Sequence, residues 1–533
     1  MIKLKTFLIL FFLTSFLTAC SKEDNGSDPI LLKIASGLNK DNSINVGPDV
    51  MSASFSVYAS ATPTVSSNSG WVKATANTPN SLNNVSKIDL IIEPNQDTEN
   101  SRTAVITVTL GQQSLQVTLN QEKAETPLLP DEGDDDQKKE HKPWINPEAC
   151  EIDGLNAREV ALSLGVGWNL GNQMDAFNNG ISSETAWGNP VATQSLFDTL
   201  KSKGFSTVRI PVTWLGHIGD APDYKIDESW LARVRELVEM AETAGLNAIV
   251  NIHHDGADSK HWLNIKDAAL NSELNEEIKK EIYAVWSQIA ASMKDKGNFL
   301  MFEAFNEIHD GGWGWGANRT DGGKQYNCLN EWNQTFVDAV RSTGGNNGTR
   351  WLSVPSYVTN IDLAVNGSMI LPKDEAGKVM VSVHFYDPND FALNSIVTDW
   401  GHTGEKSNKG SVVQDEEYIL SQFNKLTKYW VENSVPVYIG ESGPSNNKNA
   451  RGNAFRNYYL EYMHRAAKDA GLAVIYWDNG AVGSGTDKFG LFHHGNGNIL
   501  NNGEEAINAM LRGGTCRDED YNLQYIYDNA PVF

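Results

Sequence analysis

The stretch DESWLARVRELVEMAETAGLNAIVNIHH, residues 227–254, carries a helix, a stop and a strand in that order. Asp227 offers a side-chain acceptor for the first turn, and Leu231, Val234, Leu237, Val238 and Ala241 recur at the spacing of one helical face. Gly245 supplies the left-handed residue that closes a helix at no steric cost. The apolar run from Ala248 then reads as a strand ending on His253 and His254. The same grammar returns at Lys203-Gly204-Phe205, Lys296-Gly297-Asn298-Phe299 and Ala470-Gly471-Leu472.

Working outward, the alternation predicts strands at Val166–Leu170, Thr207–Ile210, Ala248–His253, Leu300–Asn306, Trp351–Pro355, Val379–Phe385, Val437–Ile439 and Ala473–Trp477. Eight strands interleaved with helices over residues 150–533 predict an α/β fold, a (β/α)8 TIM barrel. An open doubly wound sheet is the alternative. That fold carries a phosphate-binding glycine-rich first turn, and Gly165-Val166-Gly167-Trp168 lacks both the pattern and the helix start.

Barrel enzymes place their chemistry at the C-terminal ends of strands. Here those ends give Asn172, Arg209, His253 and His254, Asn306 and Glu307, His384 and Tyr386, Glu441, and Trp477. Two carboxylates stand out, Glu307 and Glu441. Breaking a glycosidic bond needs a proton for the leaving oxygen and support for an oxocarbenium-like centre. Carboxyls about 5–5.5 Å apart do this with retention, and a gap of about 6.5–9.5 Å admits water and inverts.

Arg209-Ile210-Pro211-Val212, Asn251-Ile252-His253-His254, Phe302 to Glu307, His384-Phe385-Tyr386, Ile439-Gly440-Glu441 and Trp477-Asp478-Asn479-Gly480 follow one another in the order seen in glycoside hydrolase family 5, which the chain resembles over residues 155–512. Gly171-Asn172-Gln173-Met174-Asp175 and Trp187-Gly188-Asn189-Pro190 look like subfamily 4 endo-β-1,4-glucanases, which cut β-1,4-glucans and often xyloglucan. Ile308 departs from the family, which has Pro after the Asn-Glu pair, and touches loop shape rather than the carboxyl. The resemblance implies Glu441 as nucleophile and Glu307 as general acid and later base. Arg209 and Tyr386 would hold Glu441 ionised, while Glu307 needs a raised pKa to keep its proton. Asn306 would bond the sugar 2-hydroxyl, His253 and His384 would orient these groups, and Trp477 would face the ring at the cleavage point. Asn172 and Asp175 are expected to contact sugar hydroxyls, with His254, Trp187, Trp262, Trp313 and Trp315 also expected to bind substrate.

Each of these has a plainer reading. Glu303 is expected to be a structural carboxylate, and His493-His494 loop surface. His253-His254 are metal-ligand types, but no third ligand has suitable spacing, so no metal or organic cofactor is expected. The four indoles could be packing, yet Gly312-Trp313-Gly314-Trp315-Gly316 lies in a loop with little to bury it. An endo-β-1,4-mannanase and a non-catalytic surface glycan-binding lipoprotein are the competing functions. The second would be marked by a lost carboxylate, and both are present.

The front of the chain has a different texture. Over residues 31–123 Phe55 and Val57 alternate with serines, Ile88, Leu90 and Ile92 alternate likewise, and Ile106, Val108 and Leu110 face Leu115, Val117 and Leu119 across Gly111-Gln112-Gln113 as a hairpin. This predicts a small all-β sandwich. Val65-Ser66-Ser67 before Trp71, the run Arg102 to Val108 and the closing Gln121 resemble a BACON domain, although the aromatic before Val-Ser-Ser is missing. Trp71 is read as core. Residues 124–149, with four prolines and the acidic run Asp131 to Asp136, read as a linker.

Lys3, Lys5 and the apolar run Thr6 to Leu17 form an export signal over residues 1–19, too short to span a bilayer. Leu17-Thr18-Ala19-Cys20 resembles a lipoprotein box, with Cys20 as the lipidated residue. Ser21-Lys22-Glu23-Asp24, in the tether 20–30, is similar to the tag that sends Bacteroidetes lipoproteins to the outer face of the outer membrane. The expected partners are therefore a β-glucan substrate and the outer membrane, through the anchor, on a monomeric body. Lys plus Arg total 43 against 67 Asp plus Glu, a net charge of −24, which disfavours nucleic acid. Among the remaining cysteines, Cys150 and Cys516 flank the large domain and could close it as a disulfide.

Overall fold

The computed structural model describes residues 32–533 apart from 48–49, 51, 81–83, 94, 96, 98–99, 124–140, 151, 153–155, 448 and 501–502. The export signal, Cys20, the tether and most of the linker lie outside the described residues. Among the described residues no helix is long and apolar enough to cross a membrane. The chain divides into two compact units at Gln137/Lys138.

The first unit holds two four-stranded sheets. One has the order β1 (Leu32–Ser36), β3 (Ser52–Ala59), β6 (Val85–Ile92), β5 (Val72–Ala76), and the other β2 (Ser43–Val46), β8 (Gln113–Gln121), β7 (Arg102–Leu110), β4 (Thr64–Ser67). Inward residues of both meet in one core built on Phe55, Val57, Ile88, Leu90, Ile106, Val108, Val117 and Leu119. Strict alternation is what permits this, since every second side chain of a strand points to the same face. The hairpin turn is tighter than expected. Leu110 pairs with Gln113, so only Gly111-Gln112 turn the chain, and Gly111 takes a positive φ of 60°. Trp71 is half-buried at the edge of the core, with the Arg102 guanidinium 4.2 Å above its ring.

The second unit is a closed barrel of eight parallel strands, Val166–Leu170, Thr207–Ile210, Asn247–Asn251, Leu300–Glu303, Leu352–Pro355, Val379–Phe385, Val437–Ser442 and Ala473–Asp478, numbered one to eight below. The helix Glu228–Ala244 is capped by Asp227, whose carboxylate accepts the amides of Ser229 and Trp230, and closed by Gly245 at φ 76°. Trp230 joins the expected buried stripe of Val234, Leu237, Val238 and Ala241. Gly204 and Gly471 close their helices in the same way. Gly297 does not, because its helix already ends at Ser292.

The lumen is filled in layers. Ile249, Met301, Met380 and Ile475 form an apolar floor over Ile152, Val160 and Leu164. Two residues further along the strands stand Asn169, Arg209, Asn251, Glu303 and Ser382, all fully buried. Strand seven breaks the alternation. Val383 pairs with Ile439 but His384 with Glu441, so Gly440 is an extra residue, a bulge. A Cβ on Gly440 would lie 2.9 Å from Ser382 Oγ and 3.3 Å from His384 Nε2. Only glycine fits there, and the bulge is what turns Glu441 toward the mouth. The expected disulfide is absent: Cys150, Cys328 and Cys516 are all free and buried. Cys150 faces Lys201 Nζ at 3.7 Å, whereas Cys516 lies with His141 and Asp518.

Candidate active site

Arg209 is the hub of the mouth. Its Nε donates to Glu303 Oε2 at 2.7 Å, Nη1 to Glu441 Oε1 at 2.8 Å and to Asn169 Oδ1 at 3.0 Å, and Nη2 to Asn306 Oδ1 at 2.8 Å. A planar fork of fixed donors thereby sets three acceptors from strands one, four and seven and a fourth just past strand four. Burial works against its charge, but Glu303 and Glu441 outweigh that and raise its pKa. The Tyr386 hydroxyl donates to Glu441 Oε2 at 3.1 Å, and burial beside two carboxylates keeps that proton on the phenol.

Glu307 and Glu441 meet at one imidazole. His384 Nδ1 lies 2.7 Å from Glu307 Oε1 and 3.6 Å from Glu441 Oε2, and these three groups offer atoms within 4.8 Å of one another. Glu441 is buried, whereas Glu307 keeps 20% of its side chain exposed. The proton preferences reverse the expectation. Burial pushes Glu307 up, but the hydrogen bond and charge of His384 outweigh it and hold Glu307 below the usual carboxylate range. Burial, helped by the charge of Glu307, keeps Glu441 above that range despite His384 and Arg209. The cause is the offset imidazole, which favours the nearer carboxylate. Two acids this close titrate as a pair holding one proton between them.

His253 packs flat against Trp477, with centroids 5.8 Å apart and planes at 5°, and lies 3.8 Å from Glu441. Burial, then His254, Arg209 and His384, push its pKa well down, so it stands neutral. Phe177, Trp187 and His254 form one aromatic wall, with ring centroids 5.6–6.0 Å apart. Trp313 and Trp315 are 57% and 79% exposed. Trp313 leans on His309, and Arg319 stacks over Trp315.

Several expectations are revised. Asp175 is fully buried and accepts the amides of Asn172 and Gln173, so it presents nothing to a sugar and instead supports His254 from 3.6 Å. It is also the third metal-type group that spacing had not revealed, within 4.8 Å of both imidazoles. Asn172 takes a left-handed turn at φ 54°, held by its own amide and by Asn189, which donates to its carbonyl. Trp262 packs on the barrel core, its N–H committed to Asp255. His494 is buried against Gln173 rather than on the surface. Ile308 is also fully buried. Residues to which sequence reasoning gave no role are Asn169, Asn251, Ser382, Tyr438 and Asn189. The first two were detectable as polar residues at inward positions of apolar strands.

Comparisons with known proteins show the family. The profile of cellulase (glycosyl hydrolase family 5) matches residues 171–483. A subfamily 4 broad specificity endoglucanase of Bacteroides salanitronis is 54% identical, covering 70% of this chain and 99% of its own at TM-score 0.67. Endoglucanase A of Paenibacillus barcinonensis is 36% identical over 381 residues, 68% of this chain and 92% of that one. A family 5 xyloglucanase of Bacteroides ovatus, solved with a XXXG heptasaccharide, is 27% identical and covers 91% of this chain and 99% of its own at TM-score 0.59. The chain belongs to the cellulase family, glycosyl hydrolase family 5.

Proposed function

We propose that the protein is a retaining endo-β-1,4-glucanase that cuts within cellulose-like, mixed-linkage or xyloglucan chains by double displacement. One spacing carries the reading: an oxygen of Glu307 and an oxygen of Glu441 lie within 4.8 Å of each other, a close approach that suits a covalent intermediate. Glu441, held by Arg209 and Tyr386, is the nucleophile that attacks the anomeric carbon. Glu307, the more open carboxyl, protonates the leaving oxygen and then takes a proton from the water that releases the sugar. Sugar binding covers the exposed part of Glu307 and so raises its pKa toward the value an acid needs. Asn306, His253, His384 and Trp477 position these groups. The relatives named as endoglucanases and a xyloglucanase support the substrate class.

Glu441→Ala tests the assignment. Glucan binding should persist while reducing-sugar release falls by about 10³-fold or more, and unchanged turnover would refute it. Release from barley-type glucan, xyloglucan and mannan side by side defines the backbone, with mannan expected to be poorest.

We also infer a lipid anchor at Cys20, a cell-surface position on the outer membrane, a BACON-like front domain serving as spacer, and a monomer. The lipoprotein box supports the anchor. Val65-Ser66-Ser67, paired with Val108-Thr107-Ile106 across β4 and β7, supports the domain. Loss of membrane fractionation on Cys20→Ser is the expected result for the anchor.

A further inference from the structure

We propose that Glu303, which is wholly buried, is a positioning residue that sets the charge state of Glu441 through the guanidinium of Arg209. The inference rests on the assignment of Glu441 as nucleophile.

One cation lies between two carboxylates. Arg209 Nε meets Glu303 at 2.7 Å and Nη1 meets Glu441 at 2.8 Å. The side chains of Arg209 and Glu303 are wholly shielded, and that of Glu441 is 8% exposed, so mobile ions do little to screen this triad. Glu303 cannot swing away. Its Oε1 accepts from Ser382 Oγ at 2.6 Å and Tyr438 OH at 3.0 Å, and its Oε2 also accepts from Asn251 Nδ2 at 3.0 Å. The same Asn251 amide lies 3.2 Å from His253 Nδ1.

A packing role alone would not require a charge at this position. Ser382 and Tyr438 carry hydroxyls that donate or accept, so a glutamine could satisfy them with its amide while its carbonyl served Arg209 and Asn251. What the carboxylate adds is a negative charge opposite Arg209. A nucleophile held by an uncompensated cation is over-stabilised and attacks poorly, whereas one with no cation stays protonated. Sharing Arg209 between Glu303 and Glu441 places the nucleophile between these limits. Burial raises the pKa of Glu303, and the charge of Arg209 with the Ser382 hydrogen bond outweighs that, so Glu303 remains ionised in the working range.

The test is the pH profile of kcat/KM on a soluble mixed-linkage glucan, using the full chain. Its acid limb reports the first proton lost by the Glu307–Glu441 pair in the free enzyme, which moves with the ease of ionising Glu441. Glu303→Gln leaves Arg209 to Glu441 alone, so the limb should move down by about one unit. With it, kcat should fall by up to about tenfold and KM should stay within about twofold. Tyr438→Phe removes one donor from a carboxylate that Arg209 and Ser382 keep ionised. It concentrates charge on Glu303, so the limb should move up by a few tenths of a unit, about 0.3. A structural role would lower stability and kcat without moving the limb. A limb within about 0.2 unit of wild type in both variants overturns the proposal, and Tyr438→Phe decides alone if Glu303→Gln does not fold. Turnover surviving in Glu441→Ala removes the nucleophile assignment and this inference together. Turnover lost there with an unmoved limb in the other two removes only this one.

Discussion

The floor of the barrel lumen and its mouth are lined by the same strands, two residues apart, yet they follow opposite rules. The floor is Ile249, Met301, Met380 and Ile475, shielded from water and free of polar atoms needing partners. At the next inward positions stand Asn251, Glu303 and Ser382, each joined to the Arg209 network by hydrogen bonds. Burial adds to stability at the floor and works against charge at the mouth, where pairing must offset it. A third place isolates what pairing contributes. Asp255, just behind His254, is as buried as Glu303 but has no arginine. Glu303 is held below the usual carboxylate range, whereas burial pushes Asp255 up to about 6 despite hydrogen bonds from Trp214 and Trp262. A cation outweighs depth at Glu303, whereas at Glu441 burial and the charge of Glu307 prevail over the same Arg209.

Met301→Ala tests the division most severely. It should cost about 2–5 kcal/mol in denaturant unfolding while kcat/KM of the folded enzyme stays within about twofold. Lost activity at unchanged stability would erase the distinction between floor and mouth. Asp255→Asn sharpens it. An acid whose folded pKa is raised from 3.8 to about 6 keeps its proton longer when folded than when unfolded. The contribution of Asp255 to stability should therefore be fully present below this window, fall by up to about 3 kcal/mol across it and be lost above. The variant should flatten that slope in urea titrations repeated from pH about 4 to 7, and a slope left intact would place the proton elsewhere. The smallest effect lies outside the lumen. Trp315→Ala should raise KM about two- to tenfold, as expected for one lost ring contact, with kcat and melting temperature unchanged. A fall in kcat instead would mean that the loop acts on the chemistry.

Much of this was legible in the chain. Strands one, two and six have their expected bounds, because each apolar run opens shortly after a positive-φ glycine, Gly165, Gly204 and Gly377, which leaves little freedom. Glu307 and Glu441 were both visible as acids at strand ends. Strand seven ran past its expected end at Ile439, because a bulge breaks the period on which the expectation relied. Asp175 illustrates the other limit. Sequence placed it near the cleft, but whether a carboxylate faces a sugar or its own backbone depends on turn geometry, here the left-handed Asn172. The proton balance of Glu307 and Glu441 was not legible either, since it turns on less than an ångström of difference in their distances from His384.

The surplus residue at Gly440 separates the scaffold from its reactivity. Gly440 and Glu441 both face the lumen, so removing that one codon would restore the plain period of strand seven with Glu441 still on the inner face, directly after outward Ile439. What would change is the height and tilt of the carboxylate against Arg209 and His384, not the face of the sheet on which it stands, and sugar release at the wild-type rate by such a deletant would contradict this. Reactivity in this architecture can thus be trimmed by a single in-frame loss that turns no residue of the strand to the other face.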